Sequence, residues 1–149
     1  MTPLARRLLL GIALLALGGT VVSTVSLHHH YGTSKTSYCD LAESFNCDIV
    51  NRSTYSAILG IPVALIGIVG YLVLLGLATF YRNHAGTPAR LLSASLAGVG
   101  FSLYLTYIEG FVLAAWCIVC LTSLGLISGI ALLSSLLWLP RLRRARDFH

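Results

Sequence analysis

No residue between 110 and 140 carries a charge, and no other feature limits the possible folds of this chain so strongly. An upright helix needs about 20 mostly apolar residues to cross the hydrocarbon of a bilayer. The run is longer than that, so it divides into a span over 117–139 and an interfacial connection, "GFVLAAW", before it. Residues 8–27, 58–81 and 91–109 read as three further spans, the third stopping at Glu109. Composition agrees: 56% of the chain is hydrophobic and only 10% is charged, against about 25% charged in soluble domains. The expected fold is an all-α integral membrane protein, a bundle of four transmembrane helices forming one domain over residues 1–149.

The first segment also has features of a signal peptide, since Arg6 and Arg7 precede it. Its apolar stretch exceeds the 7–15 residues usual in such signals, so a retained helix is preferred. The basic residues then orient the bundle. Arg6, Arg7, Arg82, Arg90, Arg141, Arg143, Arg144 and Arg146 flank the apolar runs, whereas the first loop keeps only Lys35 and Arg52. Cytoplasmic segments are enriched in Lys and Arg, so both termini are expected in the cytoplasm and the first loop outside. The net charge of +5 is thereby spent on topology. No basic stripe interleaved with aromatics is present, and nucleic acid is not an expected partner. Small residues promise close helix packing: Gly125 and Gly129 on the fourth span, and Ala94, Gly98 and Ser102 on the third.

The chain has four cysteines. Cys39 and Cys47 fall in the first loop, Cys117 and Cys120 at the outer end of the fourth span. All four are therefore expected on the oxidising side of the membrane, where disulfides form. Four cysteines allow three pairings, and the sequence does not choose among them. Two structural bridges are one reading. A bridge across two intervening residues, however, closes too short a loop to stabilise much. A helix N-terminus also favours the thiolate, which suits an electron carrier better than a staple. A four-cysteine zinc site is disfavoured, because Cys39 and Cys47 lack the close spacing of such sites; no metal is expected. The run His28–His30 reads as the polar end of the first helix. Along a helix rising 1.5 Å per residue, Cys120 lies about one turn deeper than Cys117. A dithiol so placed can connect a sulfur partner in water with an apolar acceptor in lipid, and a quinone is the chemical class that fits.

These residues also carry a family resemblance. "YCDLAESFNCDIVNRSTYSAILGIPVALIGIVGY" followed by "FSLYLTYIEGFVLAAWCIVC" resembles the prokaryotic branch of the vitamin K epoxide reductase family, from about Tyr38 to Gly129. The resemblance implies a four-helix bundle around a quinone pocket, capped by the first loop, in the inner or plasma membrane. It implies that Cys39 and Cys47 take electrons from a thioredoxin-like (DsbA-like) thiol oxidase, that Cys47 exchanges with Cys117, and that Cys120 reduces a membrane quinone, ubiquinone or menaquinone. Ser53 matches the family's loop serine and would help position the quinone. Such an enzyme reoxidises the catalyst that forms disulfides in exported proteins. The cysteine order is the reverse of that in DsbB-like proteins, which perform similar chemistry. Many prokaryotic members have a fused thioredoxin-like domain; this chain ends at His149, so a separate partner is expected. Vertebrate members have a tyrosine where this chain has Leu124, so the pocket's polar contacts must come from elsewhere. The alternatives are quinone or epoxide reduction for its own sake, and a membrane scaffold braced by disulfides.

Supporting residues have plainer readings too. Ser53 precedes the second span and suits a helix cap or turn. Asp40 and Glu43 read first as a solvated loop face. Trp116 and Trp138 flank the fourth span as an aromatic belt does. Phe101, Tyr104 and Tyr107 lie in the outer half of the third helix, where they can line the quinone pocket or pack between helices. Glu109 reads as interfacial, with proton relay beside a quinone as the alternative.

Overall fold

The structure, a computed structural model, describes residues 2–32, 50 and 53–146, with backbone only at His29 and 141–146. Cys39, Asp40, Glu43 and Cys47 lie outside the described residues. Among those described there are four α-helices: α1 (Pro3–Tyr31), α2 (Val63–Thr79), α3 (Thr87–Phe111) and α4 (Ile118–Arg146). Three of them contain stretches long and apolar enough to cross a membrane, Pro3–His28, Thr87–Phe111 and Ile118–Pro140; α2 is a shorter apolar helix of 17 residues. The protein is a multi-pass membrane protein.

Local chemistry sets the ends of the helices. The Thr2 hydroxyl accepts the Ala5 N–H at 3.2 Å, with proline at the first helical position of α1. That position suits proline, since its missing N–H would have no partner there anyway. In α3 the proline stands one place later, at Pro88, still within the first turn where N–H groups lack helical partners. At Pro140, inside α4, the ring removes one ladder hydrogen bond, yet the helix continues to Arg146.

The spans expected from hydropathy need correcting at their ends. Residues 58–62 are not helical. Ala57–Ile58 pairs antiparallel with Ile61–Pro62, joined through Leu59 and Gly60. Both turn residues have positive φ, 54° and 82°, which is the type I′ geometry of a tight hairpin. Hydropathy cannot separate this apolar hairpin from the helix after it. Helices α1 and α3 extend beyond 8–27 and 91–109 at both ends, and α4 begins at Ile118 and runs past 139 to Arg146, because helix ends do not simply follow the loss of apolar character.

Helix α1 packs against both α2 and α4, and α3 packs against α4, while α2 and α3 have the sparsest contact of the four adjacent pairs. The main core collects Leu9, Ile12 and Ala16 of α1, Tyr71, Leu74 and Ala78 of α2, Leu91 of α3, and Ile127 and Ile130 of α4. The outer faces are also apolar: Leu14, Val21, Leu72, Leu103 and Leu132 are all exposed. A soluble protein rarely shows so much apolar surface, and lipid covers it at no cost.

Only some of the small residues mediate close approach. A Cβ at Gly98 would lie 2.9 Å from the Ile127 side chain, and one at Gly129 would lie 3.2 Å from Leu15. Gly125, expected to share the packing face with Gly129, has nothing within 4 Å of a Cβ. The closest approach is at Gly19, which the sequence pattern did not single out. There the Tyr71 ring of α2 lies flat against α1, and a Cβ would come within 2.2 Å of it.

Candidate functional site

A cavity of about 400 Å³ lies among the four helices and is bounded by the segment before α2. Its wall is mostly apolar, including Val22, Ile66, Val73, Phe101, Leu105 and Ile127. A few polar groups interrupt that wall, chiefly Ser53, Tyr71, Glu109, Cys120 and Ser123. Size and lining match the usual small-molecule site, a mostly apolar cleft of about 300–1,000 Å³ with a few directing polar groups. The sparse contact between α2 and α3 lies alongside it, since both helices contribute wall residues.

The cysteine pair forms at the turn from α3 into α4. Helix α3 ends where the N–H groups of Val112 and Leu113 both return to the Ile108 carbonyl, at 2.9 and 3.0 Å. Ala114 then takes a φ of 47°, reversing the chain. Glu109 holds this turn twice. Its backbone carbonyl accepts the Ala115 N–H at 3.1 Å, and its Oε2 accepts the Cys117 N–H at 3.2 Å. Trp116 folds over Gly110, where a Cβ would lie 3.1 Å from the indole ring. Cys117 therefore sits just before α4 and Cys120 in its first turn.

The two sulfurs have different surroundings. Cys117 is 0% exposed and packs with Val50, Ala115 and Val119. Cys120 is partly exposed and lines the cavity. Both sulfurs and a Glu109 carboxylate oxygen lie within 4.8 Å of one another. Glu109 is only 1% exposed, so its carboxylate is enclosed by the protein. The turn at 112–117 folds back over the end of α3 and covers the carboxylate. The group could ligate a metal, but the described residues supply three ligands where closed zinc sites take four.

The remaining predicted site residues divide. Ser53 lines the cavity, and its hydroxyl donates to the Val50 carbonyl at 2.8 Å. It forms a turn and caps no helix N–H. Phe101 lines the cavity, whereas Tyr104 and Tyr107 are exposed on the outer face of α3, Tyr107 stacked on Phe111. The i, i+3 spacing left open which neighbour turns inward, and the α3–α4 contact settles it. Cys39 and Cys47 lie outside the described residues.

Sequence reasoning missed Tyr71 and Ser123. The Tyr71 hydroxyl donates to the Ser123 carbonyl and lies 2.9 Å from the Ser123 hydroxyl, tying α2 to α4 across the cavity. An interior tyrosine hydroxyl usually has such a partner. Tyr71→Phe is expected to lower stability by about 0.5–1.5 kcal/mol, the net value of a typical hydrogen bond, as measured by thermal unfolding in detergent. The signal available for Glu109 was its position: an ionisable residue within an apolar span marks a functional site by default.

A sequence model of the vitamin K epoxide reductase family matches residues 8–135, a stretch that includes all four cysteines and part of every helix.

Proposed function

The chain belongs to the vitamin K epoxide reductase family, a family of quinone-linked membrane oxidoreductases, and from that premise we propose that it reoxidises a thioredoxin-like, disulfide-forming partner at the expense of ubiquinone or menaquinone. The whole chain, 1–149, acts as one membrane unit. Both termini face the cytoplasm, and the cysteines face the opposite side of the inner or plasma membrane. The arginine distribution supports that orientation.

One observation carries the reading. The two sulfurs of the pair face different things: Cys120 faces the cavity, while Cys117 is packed against Val50. Val50 is three positions after Cys47, so the contact brings the end of the first loop to the sulfur that would exchange with it. The partner's dithiol reduces the Cys39–Cys47 disulfide. The loop dithiol then reduces the Cys117–Cys120 disulfide, with Cys47 attacking Cys117 and Cys120 leaving as thiolate. Each step is thiol–disulfide exchange, in which one S–S bond forms as another breaks.

The lining suits a quinone ring, an apolar wall with Cys120 and Glu109 among its polar groups. A quinone held there would supply a two-electron, two-proton acceptor. Cys117 and Cys120 give up two electrons and two thiol protons and close their disulfide. Phe101, Ile66 and Val73 exclude water from the ring, and the Ser53 hydroxyl, held by the Val50 carbonyl, adds a polar group to the wall. The test is oxidation of a reduced thioredoxin-like protein by the purified chain. Turnover that requires added quinone is the expected result, and equal turnover without quinone would refute the proposal.

A further inference from the structure

The carboxylate of Glu109 has two oxygens in different situations. Oε2 accepts the Cys117 N–H at 3.2 Å. Oε1 is fully buried with no hydrogen-bond partner among the described residues. Burying a charged carboxylate in an apolar bundle is costly, and holding one turn is a task an amide would perform as well. The side chain lines the cavity beside Cys120, and a carboxylate oxygen lies within 4.8 Å of that residue's sulfur.

We propose that Glu109 is a catalytic proton carrier: its carboxylate takes the Cys120 thiol proton and passes it to an oxygen of the quinone. The inference rests on the quinone-reductase reading above and assigns that reaction a residue. The chemistry requires such a group. A thiol transfers electrons as thiolate, and the quinone oxygen must gain a proton as it gains electrons. Oxidation of the pair breaks two S–H bonds, forms one S–S bond and releases two electrons and two protons; the quinone takes up the same number. Glu109 carries one proton and returns to its ionised form each cycle, and exchange with bulk water carries the other. Few other groups are placed for this work. The cavity's other titratable side chains are His30 from α1, Tyr55 from the turn before α2 and Tyr71 from α2. Tyr71 is engaged with Ser123. Cys117 stands beside Glu109 at the start of α4 but is outside the cavity wall. No Lys or Arg lines the cavity among the described residues.

The test uses Glu109→Gln, which keeps the size and a carbonyl acceptor for the Cys117 N–H but cannot carry a proton. Quinone reduction by the variant is expected to fall by about 10²–10⁴-fold, the range for general acid–base catalysis. A purely structural role predicts the wild-type rate, which would overturn the proposal. A second measurement needs no quinone. Alkylation of Cys120, resolved by mass spectrometry, is followed against pH. If thiol and carboxyl share a proton they titrate as a coupled pair, so Glu109→Gln should lose one inflection of the wild-type profile. Superimposable profiles also overturn the proposal. Should the amide variant not fold, Glu109→Asp must shift that same inflection, and an unshifted profile counts against Glu109. If the wild-type chain never reduces quinone, the oxidase reading fails, while the alkylation profiles still decide whether Glu109 shares the proton.

Discussion

Cys120→Ala is expected to reduce quinone reduction to background while leaving the bundle folded. Cys120 is the sulfur on the cavity wall, and Cys117 is 0% exposed behind it. Without Cys120 the electrons that reach Cys117 have no onward sulfur, and no internal disulfide can form there. The loop pair, Cys39 and Cys47, should still form mixed disulfides with a thioredoxin-like partner, since that exchange does not involve Cys120. Two assays separate the outcomes: quinol formation followed by absorbance, and partner adducts on non-reducing gels. A disulfide-braced scaffold would show no change in the first assay, because it would have no quinone activity to lose. Stability should change little, as Cys120 is only partly buried and the alanine leaves its space facing an existing cavity.

Gly19→Ala is expected to destabilise the protein, although alanine favours helix over glycine by about 1 kcal/mol. The added Cβ would lie 2.2 Å from the Tyr71 ring, closer than atoms can approach, so the ring must move. Tyr71 is 4% exposed and has room only on its cavity side. Displacing it strains a packed contact, which costs about 1–3 kcal/mol, and breaks the hydrogen bonds to Ser123. Gly125→Ala is the matched control. Nothing lies within 4 Å of its added methyl, so the helix-propensity gain should appear undiminished. The two alanine variants should therefore shift the thermal midpoint in opposite directions. Equal shifts would mean that the ring can leave Gly19 freely.

The fold was legible to the extent that it depends on apolar length. Uncharged runs located all four helices. What stayed hidden depends on rotation and on backbone conformation. The stretch from Ile58 to Pro62 is as apolar as the helix it precedes, and only its left-handed turn distinguishes it. Phe101, Tyr104 and Tyr107 are all aromatic, yet which of them faces inward is set by how α3 rolls against α4. Gly125 and Gly129 present the same motif, but only Gly129 meets another helix. The site followed the same division. The membrane thiol pair was plain from its spacing, whereas Tyr71 and Ser123 lie 52 positions apart and meet only through the tertiary fold. Glu109 was visible as a residue, but its burial comes from a reversal at Ala114 that no local pattern announces.

At 1.5 Å per residue, the 17 residues of α2 cover about 26 Å, less than the roughly 30 Å of a typical hydrocarbon layer. The hairpin preceding it has an apolar tip, Ile58, Leu59 and Ile61, all exposed. This tip extends the greasy surface beyond the helix and makes up much of the shortfall. What mismatch remains must be absorbed by local thinning of the lipid or by tilt. Either response bears on the helix that carries Tyr71 and has the loosest contact with its neighbour. Bilayer thickness thus bears on the shape of the cavity that α2 helps to wall, and the lipid around this protein becomes part of its geometry.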